Sequence, residues 1–98
     1  MGIENRIRKI EIGLTTAKKF MKEGKHDLAE AAMLKTMDLT GYRHVSEPIK
    51  EELKNGTFSN YEEGSNKTYS VLKGVYEAER NKYNNTNNNL ENIEYKVK

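Results

Sequence analysis

The chain has 98 residues and a mass of 11.3 kDa, with 35% apolar and 33% charged residues, a mean hydropathy of -0.96 and a net charge of +2, the profile of one small and very polar domain. No run approaches the ~20 apolar residues that a membrane span needs, and the first residues, MGIENRIRKIEI, lack the apolar block of a secretory signal. With no cysteine, disulfides, thiolate nucleophiles and cysteine-held zinc are excluded together, and a cytoplasmic protein without membrane contact is the expectation.

Ile3, Ile7, Ile10, Leu14, Ala17 and Met21 recur at spacings of four and three, which places them on one stripe of a helix. Gly24 follows the last periodic residue, so helix 1 ends near Glu23. Asp27, with Glu30 three residues later, has the spacing of a capping box and predicts that helix 2 begins near Leu28. Its apolar side is expected to hold Leu28, Ala31, Ala32, Leu39 and Tyr42, broadened by Met33, Leu34 and Met37. Ser46-Glu47-Pro48 reads as a cap followed by a proline of a first turn, so helix 2 stops before Ser46 and a short helix runs to about Lys54.

The stretch from residue 17 to residue 38, AKKFMKEGKHDLAEAAMLKTMD, resembles in rhythm the helix-Gly-helix hairpins of modules such as tetratricopeptide repeats or microtubule-interacting and trafficking domains, without a second repeat or a specific motif of either. From about residue 60 to residue 83, the series Tyr61, Ser65, Thr68, Leu72, Val75, Glu79 and Tyr83 keeps a helical period that Ser65, Thr68 and Glu79 interrupt. Gly64 and Gly74 inside it read as marks of close backbone packing. The run NNTNNN from residue 84 has the composition of a polar linker. Beyond it Ile93, Tyr95 and Val97 alternate with charged residues, the period of an amphipathic strand. The expected architecture is all-α: a small three-helix bundle over residues 1–83, with one short helix after Pro48, then an Asn-rich linker and strand-like tail over residues 84–98.

Catalytic chemistry finds little footing in these residues. Glu23 and His26 form a single Glu-x-x-His, whereas a di-metal bundle needs two such pairs and two further carboxylates. Nothing local orients His26 or His44 for acid-base work, and both read as solvent-exposed loop residues. Neither a nucleophile elbow nor a phosphate-cradling glycine loop occurs. The chain therefore reads as no enzyme, with no metal and no cofactor.

What remains is binding. Ile12 points away from the stripe of helix 1 and, with Phe20, makes a second apolar edge; Tyr69 and Tyr76 belong to a tyrosine ladder on the last helix. Ile93, Tyr95 and Val97 would fill alternate pockets if the tail joined the edge of a partner's sheet. These residues support an accessory or regulatory subunit that engages another protein or a second copy of itself. Residues 1–25 carry seven bases against three acids, and Arg8, Lys19 and Lys22 lie along one flank of helix 1. That flank supports the alternative of a nucleic-acid-binding protein or a subunit of a DNA- or RNA-handling complex.

Overall fold

The computed structural model describes the backbone of residues 2–97 and the side chains of residues 2–85. Among these residues the protein is all-α, with α1 (Ile3–Lys22), α2 (His26–Leu39), α3 (Arg43–Lys54) and α4 (Tyr61–Val97). Helices α1, α2 and α4 pack on one another, and α3 packs on α2.

The first stripe behaves as its period predicts. Ile7, Ile10 and Ala17 are buried, Leu14 and Met21 lie half-buried against the core, and Ile12 faces outward. Three helix ends share one construction. After α1, Gly24 takes φ +75° and Lys25 N–H donates to the Phe20 carbonyl at 2.8 Å; after α3, Gly56 takes φ +71° and Thr57 N–H donates to Glu52 at 2.9 Å. This is the Schellman ending, which needs a left-handed residue just past the helix.

Gly41 supplies the third of these endings and corrects the expected boundary. At φ +87° it ends α2 at Leu39, and Tyr42 N–H donates to the Met37 carbonyl at 2.8 Å. The next helix then starts at Arg43, so Pro48 sits in its second turn and not its first. Proline there gives up one backbone hydrogen bond. Ser46, expected as a cap, is buried and donates to Asp38 of α2, which also receives Lys50 Nζ at 2.7 Å; with buried Ile49, these contacts seat α3 on α2.

The start and the face of α2 also differ from expectation. The helix begins at His26 with no side-chain cap, and Glu30 turns into the interior instead of back to Asp27. Its buried face is Ala29, Glu30, Met33, Leu34 and Met37, while Leu28 and Leu39 stay 46% and 58% exposed. Both sides of this helix carry apolar residues, so hydrophobicity alone leaves its rotation open; in the rotation observed Glu30 meets Thr68 of α4.

Helix α4 is capped by Asn60, whose Oδ1 accepts Glu63 N–H at 2.9 Å, while the Glu63 carboxylate accepts Ser59 N–H at 3.1 Å. Hydrogen bonding from the Ser59 side chain and then its backbone N–H holds the Glu63 carboxyl below its ordinary range. Gly64 is buried against Leu53 and Phe58, whereas Gly74 has open space around it and marks no close packing. The helical backbone continues through the Asn-rich run to Val97, in place of the expected linker and strand. A strand needs a neighbour for its backbone groups, whereas an established helix supplies a carbonyl to each added N–H and propagates cheaply.

Candidate interaction surfaces

The three polar residues that interrupt the stripe of α4 are buried, and each meets a polar partner. Thr68 donates to Glu30 Oε1 at 2.7 Å. Ser65 Oγ donates to the Glu62 carbonyl at 3.1 Å and lies 3.3 Å from His26 Nδ1. With the hydroxyl proton so directed, the Nδ1–H tautomer of His26 completes the pair. His26 is therefore half-buried and engaged, not a free loop residue, whereas His44 is exposed beside the Tyr42 ring.

Glu79 accepts the hydroxyl of Tyr42 and lies 3.3 Å from Arg6 Nη2. Burial acts to raise its pKa, but the Tyr42 hydroxyl and the Arg6 guanidinium outweigh burial and hold the carboxyl below its usual value. Burial and then the carboxylate push Tyr42 up to about 12. This cluster joins α1, the α2–α3 turn and α4, and its inventory is that of a structural tie. Among the described residues no group of three or more His, Cys, Asp or Glu side chains is arranged to hold a metal.

The surface offers two grooves of different character. The first lies between α1 and α2. Lys9, Ile12, Gly13 and Thr16 face Ala32, Lys35, Thr36 and Leu39, and each set follows the i, i+3, i+4, i+7 spacing of one helical face. The deeper positions are small: Gly13 is buried, and Thr16, Ala32 and Thr36 are half-buried. The exposed positions are Ile12, at 59%, and Leu39, at 58%, with Lys9 and Lys35 beside them. The space between is about 340 Å³. Exposed Leu28 lies one turn before Ala32 on α2.

The second groove lies where the end of α1, the start of α2 and the middle of α4 meet. Lys18, Met21, Lys22, His26, Asn66, Tyr69 and Lys73 line it, and its volume is about 460 Å³.

The remaining expected residues are distributed around these features. Phe20 is half-buried against the core, so it does not extend the exposed edge begun by Ile12. Tyr69 and Tyr76 also pack against the core, and the Tyr76 hydroxyl donates to Glu11 at 2.8 Å, a bond that pushes its pKa up. Ile93, Tyr95 and Val97 lie outside the residues whose side chains are described. Arg8, Lys19 and Lys22 are all exposed on α1, and Arg8 and Lys22 border different concavities. Arg8 lines a cleft with Glu4, Glu11 and Arg80, Lys22 lines the second groove, and Lys19 stands exposed between them in sequence. Leu39, expected on the core side of α2, and Lys18, which the sequence did not single out, complete the two grooves; their signal was the spacing of four from Lys35 and from Lys22.

No described helix is long and apolar enough to cross a membrane. Comparison with protein-family models, curated proteins and solved structures finds no match.

Proposed function

We propose that this chain is a non-catalytic interaction subunit, a three-helix bundle with α3 as a side helix, that receives an amphipathic helix of another protein along the α1–α2 groove. The observation that carries this reading is the pairing of exposed Ile12 and Leu39 across a floor of small side chains. Burying two such residues on a partner yields on the order of 3 kcal/mol before the costs of association. The small floor residues leave room for a knob from the incoming helix, as in helix-in-groove recognition.

Charge selects the occupant. Lys9 and Lys35 are the charged residues of the groove, and no carboxylate lines it. A partner helix with apolar residues at i, i+3, i+4 and i+7 and glutamates on its flanks is complementary, while a second copy of this groove would set lysine against lysine.

The test uses a labelled amphipathic peptide with glutamate flanks and the same peptide with lysine flanks, titrated into the full chain by fluorescence anisotropy. The acidic peptide should bind at least tenfold more tightly, and Ile12→Asp or Leu39→Asp should remove that binding with helicity unchanged. Equal affinity for both peptides, or indifference to both substitutions, overturns the reading. A concentration-dependent dimer by light scattering that Leu39→Asp dissolves would assign the groove to self-association instead.

A further inference from the structure

The second groove is distinct from the first in chemistry. Lys18, Lys22 and Lys73 converge on it from α1 and α4, with His26 at the start of α2. Among the described residues Lys25, Lys50 and Lys67 have ion-pair partners, but none of these three lysines has one, and no carboxylate lines the groove. Three like charges around one concavity repel one another and concentrate positive potential inside it, a state that a bound anion relieves.

The groove is more than a charged rim. Met21 and Tyr69 are half-buried within it, so an apolar thioether and an aromatic ring sit beside the ammonium groups. A bare inorganic anion would leave that apolar surface unused. Its volume of about 460 Å³ falls within the range of small-ligand sites. Lysine binds phosphate as a point charge, tyrosine stacks on the flat face of a base, and a methionine thioether packs favourably against an aromatic ring.

We infer that this groove binds a nucleotide unit, its phosphate among Lys18, Lys22 and Lys73 and its base against Tyr69 and Met21. The unit is either a free mononucleotide or one residue of a single strand; both present the same phosphate and the same planar ring. The basic flank of α1 thereby acquires a different membership: Lys22 stays, while Arg8 and Lys19 give way to Lys18 of the same helix and Lys73 of α4.

The experiment titrates fluorescein-labelled dT10 into the full chain at 50 to 300 mM NaCl by anisotropy, and ATP in parallel by calorimetry. A polyglutamate peptide of equal charge serves as the control anion. The double variant Lys22→Glu/Lys73→Glu should weaken binding tenfold or more, and Lys54→Glu on α3 should leave it unchanged. With one phosphate neutralised the log–log salt slope should be about -0.7, falling toward zero in the double variant. Ring resonances of Tyr69 should shift on binding. Binding of both ATP and dT10 assigns a mononucleotide site, and binding of dT10 alone assigns a single strand. Polyglutamate binding as tight as dT10, equal losses in the Lys54 variant, or no binding of either nucleotide ligand overturns the inference.

Discussion

Glu30 is 2% exposed, and one of its carboxylate oxygens accepts from Thr68 while the other, Oε2, is buried without a partner. Desolvation therefore raises its pKa, and the Thr68 hydrogen bond opposes that rise only in part. For an acid whose folded pKa lies above its unfolded value, native stability is complete below the unfolded pKa and is lost as pH climbs through the folded one. Glu30→Gln keeps the acceptor for Thr68 and removes the charge. Its stability relative to the parent should therefore improve between pH 4.5 and pH 8, by on the order of 1 kcal/mol, measured by urea unfolding at each pH. A difference that stays flat across that range would mean that the buried carboxylate carries no charge-linked cost. The polarity of Ser65, Thr68 and Glu79 was legible in the sequence; their burial was not, because it depends on His26, Glu30, Arg6 and Tyr42, which lie between 37 and 73 positions from their partners.

At the scale of the element, α1 and α2 approach each other closely at Gly13. A methyl group added there would meet the Thr36 hydroxyl, with Thr36 Cγ2 at 2.8 Å and Cβ at 3.0 Å. Alanine is the better helix former by about 1 kcal/mol, so an isolated α1 would gain from Gly13→Ala. In the folded protein the clash should dominate and lower stability by about 1–3 kcal/mol. Thr36→Ala in the same chain should recover most of that loss. Thermal unfolding of the two single variants and the double variant gives the coupling directly, and additive effects would show that the helices separate easily. The length and phase of α1 were readable because one apolar stripe lies opposite a polar face. Helix α2 resisted the same reading because apolar residues occur on both sides, and of the outward ones Ala32 and Leu39 line the groove. The turn at Gly41 carried the same punctuation as Gly24 and Gly56, but the stronger-looking signal of Ser46 and Pro48 displaced the boundary.

For the molecule as a whole, the all-α class followed from the helical periods, whereas the continuation of α4 past residue 84 did not. Asparagine is a weak helix former, and composition carries no record of the helix that already precedes it. The grooves were legible only by halves, since each is built from two helices whose facing residues are set by packing. That packing gives α2 an interface with each of the other three helices. In hydrogen-exchange experiments the consequence is a hierarchy: opening α3 leaves the contacts of α1 with α4 intact, but exposing α2 severs every interface it shares. Amides of Met33 and Met37 should exchange only through global unfolding, while those of α3 exchange through a smaller opening at lower urea. Equal protection in α2 and α3 would instead describe a single cooperative unit. With its inner face so protected, α2 holds Ala32, Lys35 and Leu39 still, and any partner seated against them meets a surface that loses little freedom on contact.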